Sequence, residues 1–151
     1  MQTRKEIRLP HFDYARHGMY FVTICLRDRV PLLGRVEEHD VRLTSLGEIV
    51  AHEIARLGSR FREVGVDLSI VMPDHTHVIL ALRDRVRTLG AVVGALKSSS
   101  AAQINTFRET PGTPLWQRGY YDHVIRDDED LDRIRVYIKT NPTRWSLRHT
   151  T

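Results

Sequence analysis

The sequence predicts an α+β sandwich, one four-stranded antiparallel sheet with helices on one face and an added C-terminal helix. Three observations carry that expectation. Segments rich in β-branched and aromatic residues are interspersed with segments whose apolar residues recur every three to four positions. The two most apolar runs are split by Pro73-Asp74, a tight-connection signal between antiparallel strands. The resulting order is strand, helix, strand, strand, helix, strand, helix, which with its two crossovers matches a ferredoxin-like arrangement. At 151 residues and 41% hydrophobic content the chain fits one domain, 1–151, with enough apolar material for an ordinary core. We expect no internal repeat, low-complexity tract or extended linker to divide it.

Residues 1–18 read as a basic N-terminal arm carrying Arg4, Lys5 and Arg8. Residues 19–26 read as the first strand, because β-branched and aromatic side chains cluster in Tyr20-Phe21-Val22-Thr23-Ile24-Cys25-Leu26, and Pro31-Leu32-Leu33-Gly34 then interrupts the pattern. A helix begins near Thr44 or Ser45, where a hydroxyl can cap it and Glu48 follows at capping-box distance. Leu46, Ile49, Val50, Ile54 and Leu57 form its apolar stripe, and Gly58 is a natural stop. Residues 66–72 and 75–82 form a hairpin. Thr88 to Thr106 is helical by the recurrence of Leu89, Val92, Val93, Leu96 and Ile104, although Ser98-Ser99-Ser100 lowers the intrinsic propensity. Pro111-Gly112-Thr113-Pro114 is a loop, and 119–126 is the fourth strand. Asp127-Asp128-Glu129-Asp130 places acidic groups where a helix N-terminus favours them, so the last helix spans 127–141 and ends near Asn141.

The cationic side of the charge balance is unusual in kind: 20 arginines stand against 3 lysines, within a net charge of only +4. The guanidinium fork matches phosphate oxygens and stacks on bases, which suits a nucleic-acid partner, although a GC-rich genome would enrich arginine regardless of function. The lone Cys25, inside an apolar run, excludes an internal disulfide and favours a reducing compartment. No window approaches the roughly 20 apolar residues needed to cross a bilayer, and Met1 to Arg8 lacks the apolar core of a signal peptide. A soluble, cytoplasmic protein without a membrane partner is expected.

Chemistry concentrates in Val71-Met72-Pro73-Asp74-His75-Thr76-His77-Val78-Ile79-Leu80. Alternation along a strand turns His75 and His77 to one face and Thr76, Val78 and Leu80 to the other, so a short segment presents two imidazoles to one metal ion. Two ligands leave a site incomplete. The last helix is the best source of a third, because Arg133, Tyr137 and Asn141 recur at intervals of four beside a stripe of Leu131, Ile134 and Ile138 that would pack on the sheet. Each residue also has a plainer reading. Half-exposed histidine pairs are common in strands, Tyr137 suits a boundary aromatic with a wet hydroxyl, and Asn141 before Pro142 suits a helix C-cap.

Three ordered blocks then carry a resemblance over nearly the whole chain. They are Arg8-Leu9-Pro10 with Phe12-Asp13-Tyr14 and Gly18-Met19-Tyr20-Phe21-Val22-Thr23-Ile24-Cys25; Val71-Met72-Pro73-Asp74-His75-Thr76-His77; and Trp116-Gln117-Arg118, Tyr121-Asp122-His123-Val124-Ile125-Arg126 and Tyr137-Ile138-Lys139-Thr140-Asn141-Pro142. The sequence resembles the single-tyrosine transposases of the IS200 type, and within them the REP-associated tyrosine transposases, whose signature is two histidines flanking one residue, usually bulky and apolar. Two departures stand out. Thr76 replaces that apolar residue, and Asp74 stands where asparagine is common, either adding negative charge near the metal or capping the turn.

The resemblance implies a metal-dependent endonuclease and strand transferase acting on single-stranded or hairpin DNA. His75 and His77, with Asn141 as third ligand, would hold Mg²⁺ or Mn²⁺, and Tyr137 would attack phosphorus to form a 5′-phosphotyrosine. It further implies a bacterial protein at the nucleoid when bound to DNA, working as a monomer, with the helix-swapped dimer of IS200-type relatives as the alternative. Weaker expectations are phosphate contacts from Arg4, Lys5, Arg8, Lys97, Arg118 and Arg133, and stacking of Trp116 on a base, worth roughly 1–3 kcal/mol where it happens. His123 is given no role. A non-catalytic nucleic-acid-binding relic of the same fold is the competing reading. A two-histidine phosphoesterase would need two His-x-Thr/Ser motifs, and the chain offers only His149-Thr150-Thr151.

Overall fold

The computed structural model describes residues 12–148. The β-branched run becomes strand β1 (Gly18–Cys25). The two apolar runs become β4 (Val64–Val71) and β5 (His75–Leu82), and the turn between them closes through the Met72 amide, which donates to the His75 carbonyl at 2.8 Å. Thr44 caps helix α1 (Ser45–Ala55) by accepting from the Gly47 amide at 3.2 Å. Thr88 does the same for α3 (Leu89–Arg108) through Ala91, and Asp127 for α4 (Asp128–Lys139) through Asp130. Strand β6 (Tyr121–Val124) completes a four-stranded sheet of order β4-β5-β1-β6, antiparallel throughout.

Each face of the sheet has its own apolar cluster. Val22, Ile24, Val78 and Leu80 pack with Val50 and Ile54 of α1 and Val92, Val93 and Leu96 of α3. Met19, Ile70 and Ile79 on the opposite face pack with Leu131, Ile134 and Ile138 of α4. The fold class read from the pattern is therefore the fold observed, with α4 covering the face that α1 and α3 leave open.

The departures have local causes. A hairpin of β2 (Gly34–Glu37) and β3 (Asp40–Leu43) follows β1, in a stretch whose charges hide strand alternation. Its turn uses Glu38 in the left-handed region at φ 58°. Gly58 does not stop the chain at once; a single further turn, α2 (Leu57–Arg60), buries Leu57. Gly47 is required by packing rather than conformation, since a Cβ there would stand 2.0 Å from the Leu33 carbonyl oxygen. A five-residue repeat exists after all: Leu-Arg-Asp-Arg-Val occurs at 26–30 and 82–86, following β1 and β5. In both copies Asp and the second Arg adopt positive φ, at Asp28, Arg29, Asp84 and Arg85.

The last helix also differs from expectation. α4 ends at Lys139, Thr140 breaks the helical path, and α5 (Asn141–Arg148) starts at once. Pro142 is thus accommodated in the first turn of a new helix, where its missing N–H needs no partner. Asn141 opens α5 and is not a C-cap, so the stripe at intervals of four from Arg133 does not reach it as one continuous helix.

α4 is fastened to the sheet by a buried ion pair. The β4–β5 register shifts between Val66 and Leu68, leaving Asp67 outside the ladder. Its carboxylate meets Arg135 of α4 in a two-pronged contact, Nε to Oδ1 at 2.8 Å and Nη2 to Oδ2 at 2.5 Å, with exposures of 5% for Arg135 and 0% for Asp67. Removing one partner strands a buried charge. Arg135→Met is therefore expected to cost about 3–5 kcal/mol in urea unfolding, and Asp67→Leu combined with Arg135→Met markedly less. Equal losses in the single and double variants would contradict this.

Candidate active site

His75 and His77 lie at the start of β5 and, by strand alternation, both face α4. The register sets their neighbours: Thr23 of β1 pairs with His77 and Cys25 with His75. Thr23 Oγ1 lies 2.8 Å from His77 Nδ1, and Asp74 Oδ1 lies 2.7 Å from His75 Nδ1. Asp74 in turn accepts from Arg29 Nε at 3.0 Å and Nη2 at 3.3 Å. Both imidazoles are thus held through Nδ1. The two rings sit 4.7 Å apart, centroid to centroid.

Three other elements close on this pair. From β1, Phe21 places its ring 5.2 Å from His77. From α4, the Tyr137 ring lies 5.6 Å from His77 and 5.9 Å from Phe21, while the residue remains 44% exposed. From α5, Arg144 stacks over the Tyr137 ring at 4.0 Å and donates from Nη2 to the Tyr137 carbonyl at 2.7 Å and from Nη1 to the Thr140 hydroxyl. Trp145 of the same helix reaches His75 at 6.2 Å. Tyr137 is therefore a nucleophile-type side chain at the rim of a buried histidine pair, with a cation on its ring.

The polar atoms left over are informative. Among the described residues, three buried side-chain oxygens or nitrogens lack a hydrogen-bond partner, and two of them are His77 Nε2 and Asn141 Oδ1. Asn141 is 2% exposed, at the α4–α5 junction between Tyr137 and Arg144. Buried polar atoms without partners are costly, and a bound cation is one way to satisfy such atoms. Among the described residues no group of three or more His, Cys, Asp or Glu gathers, so a metal here would use an amide oxygen beside two imidazoles. Such a mixed N/O set suits Mn²⁺ or another first-row ion at least as well as Mg²⁺.

Electrostatics favour the neutral form of both rings. Burial pushes His75 below the ordinary histidine value, although Asp74 pulls the other way. Burial, followed by the charges of His75, Arg144 and Arg29, pushes His77 down to about 3. Neutral imidazole is the form a metal requires. Asp74 is also shifted: burial would raise its carboxyl, but Arg29 and His75 hold it below the usual carboxylate range.

The other sequence-derived candidates separate cleanly. Arg4, Lys5 and Arg8 lie outside the described residues, as does His149-Thr150-Thr151. Trp116 is not offered to a base: it is 8% exposed, and its Nε1 donates to Ser100 Oγ at 3.0 Å. Lys97 is neither an idle surface lysine nor directed at phosphate, because its Nζ donates to the Gln117 and Gly119 carbonyls at 2.8 Å each, pinning that loop to α3. Arg118 is exposed. Arg133 is 64% exposed in its side chain and tethered to Asp130 at 2.7 Å. His123 pairs with the same Asp130 at 2.7 Å. Sequence reasoning missed Thr23, Arg29 and Arg144. Only Arg144 left a signal, at helical spacing of three from Asn141 and seven from Tyr137.

Residues 19–141 match the family model described as "Transposase IS200 like". The chain is 29% identical to an uncharacterized protein of Haemophilus influenzae, over 94% of this chain and 89% of that one. It is 25% identical to the REP-associated tyrosine transposase of Escherichia coli K12, over 87% and 70%. Its fold is similar to the solved structure of a REP-associated tyrosine transposase bound to a REP hairpin, with a TM-score of 0.68 at 21% identity over 93% of this chain and 74% of that one.

The buried histidine has a consequence in the metal-free protein. Unfolded, His77 takes a proton near pH 6.5; folded, only near 3. Between those values the unfolded chain binds more protons, so stability rises with pH and is lost as pH falls below about 6.5. Urea unfolding between pH 6.5 and 5, above the carboxylate range, is expected to show a slope steeper in wild type than in His77→Gln, by up to about 1.4 kcal/mol per pH unit. Equal slopes would contradict a neutral, buried His77.

Proposed function

Because this chain belongs to the IS200-like transposase family, we propose that it cuts and rejoins single-stranded DNA beside a hairpin, with Tyr137 as the nucleophile. The observation that carries this reading is the meeting of Tyr137 with a buried histidine pair, in which His77 Nε2, like the buried Asn141 oxygen, has no hydrogen-bond partner among the described residues.

In this reading the Tyr137 oxygen attacks the scissile phosphorus, the bond from phosphorus to the 3′ oxygen breaks, and the DNA leaves a 5′-phosphotyrosine and a free 3′-hydroxyl that takes up the proton. Reversal by another 3′-hydroxyl rejoins strands without an external energy source, which suits strand transfer. Phe21 and His77 contact the Tyr137 ring and Arg144 covers it from α5, contacts that would restrain the nucleophile before substrate arrives. His75, His77 and Asn141 are the residues that would hold Mg²⁺ or Mn²⁺. When bound, the ion would offset negative charge on the phosphate.

A hairpin substrate is supported by the arginine-rich composition and by the fold shared with the hairpin-bound relative. Arg118 and Arg133 on the described surface, with Arg4, Lys5 and Arg8 of the arm, are the phosphate contacts we assign to it. We assign the site to one protomer, with α4 packed on the sheet of its own chain through Leu131, Ile134 and Ile138.

The test is a hairpin oligonucleotide with single-stranded flanks, incubated with Mn²⁺ and resolved under denaturing conditions. A covalent protein–DNA adduct is expected with wild type and is expected to vanish in Tyr137→Phe and with EDTA. An adduct surviving in Tyr137→Phe would overturn the nucleophile assignment. Binding without any adduct across a panel of hairpins would favour the non-catalytic reading. Arg144→Ala is expected to slow adduct formation by about 10²-fold, the scale of a misaimed reacting group, with little change in DNA affinity. A rate within twofold of wild type would contradict its role on the Tyr137 ring.

A further inference from the structure

Within the metal reading of the histidine pair, on which this step rests, we propose that Asp74 and Arg29 form a positioning relay that fixes which nitrogen of His75 faces the ion. Among the described residues, the hydrogen bonds of the Asp74 carboxylate go to Arg29 and His75. It is therefore not a cap for the Pro73-Asp74 turn, one of the two roles its position in the sequence allowed. An ionised carboxylate can only accept, so the hydrogen on His75 sits on Nδ1 and the lone pair is left on Nε2. His77 has no such dictation, because the Thr23 hydroxyl can donate or accept. The two histidines are thus unlike: one is fixed by charge, the other by an adaptable hydroxyl.

The surrounding chain is built around this contact. The Leu26 amide donates to the Asp74 carbonyl and the Leu33 amide to the Pro73 carbonyl, both at 2.9 Å, so the loop after β1 grips the turn at two points. Between them Asp28 and Arg29 adopt left-handed φ of 60° and 53°, a conformation that costs a non-glycine residue free energy. The same sequence at 82–86 folds the same way, and there Arg85 reaches back to the carbonyls of Tyr14, Ala15 and His17. The turn is a device for directing its second arginine onto a neighbouring segment of the fold. In the first copy the target is a carboxylate, 7% exposed, that touches a candidate ligand. A carboxylate behind a ligating histidine fixes ring orientation and raises ligand basicity.

Nitrogen-15 spectra of the histidine rings in the metal-free protein test the relay directly. His75 is expected as the Nδ1–H tautomer in wild type, and Asp74→Ala is expected to release it into a mixture. Calorimetric titration with MnCl₂ is expected to show affinity falling 10- to 100-fold in Asp74→Ala, with Asp74→Asn, which keeps one acceptor oxygen, in between. An Nε2–H tautomer in wild type would overturn the proposal without need of any variant. So would a cooperatively folded Asp74→Ala that binds Mn²⁺ within twofold of wild type. If wild type binds no Mn²⁺ at all, the metal reading fails, and the tautomer measurement still decides whether Asp74 orients His75.

Discussion

Strand β5 is buried along all eight of its residues, with β1 on one side, β4 on the other and helices on both faces. A polar side chain placed there must find its partner inside the protein or pay the full cost of desolvation. That constraint governs the site. Thr76 meets it by donating to the Ile70 carbonyl at 2.7 Å. His75 and His77 meet it halfway, each held through Nδ1, with Nε2 of His77 left without a partner among the described residues. Burial also disfavours the charged form of both rings, so the cost of placing imidazoles in the core and the neutral form that a metal would require have one origin.

The C-terminal helices complete the surroundings of this pair. The buried Asp67–Arg135 contact and the Leu131, Ile134 and Ile138 stripe fasten α4 across the sheet, which fixes the Tyr137 ring against His77. The break at Thr140 then separates two roles that one straight helix would place on one stripe. Tyr137 stays at the rim, Asn141 turns into the interior, and α5 brings Arg144 back over the tyrosine. Tyr137, Asn141 and Arg144 thus come from one eight-residue stretch that crosses the junction of two short helices.

The elements with strong period were legible in the sequence. β1, β4, β5, α1, α3 and α4 follow the alternation or the three-to-four spacing of their apolar residues, and the facing of His75 and His77 follows from the same alternation. Three ordered motifs sufficed for the family resemblance. The parts that were hidden depend on partners far along the chain. The β2–β3 hairpin is masked by its charges, and Pro142 reads as a stop although it opens a helix. Arg29 with Asp74, and Asp67 with Arg135, are pairs 45 and 68 residues apart that leave no periodic trace. For Trp116 the sequence leaves base stacking and anchoring of a loop to the core both open, and the contact with Ser100 is the second of these; for Lys97 neither a phosphate contact nor an exposed helix lysine describes a side chain that ties down a loop.

The central claim is that His75, His77 and Asn141 share one cation beside Tyr137. The most direct measurement is anomalous diffraction at the manganese edge from crystals soaked in MnCl₂. A single strong peak within coordination distance of both Nε2 atoms and Asn141 Oδ1 is the predicted result. A peak elsewhere, or one at the histidines with Asn141 turned away, would contradict the account.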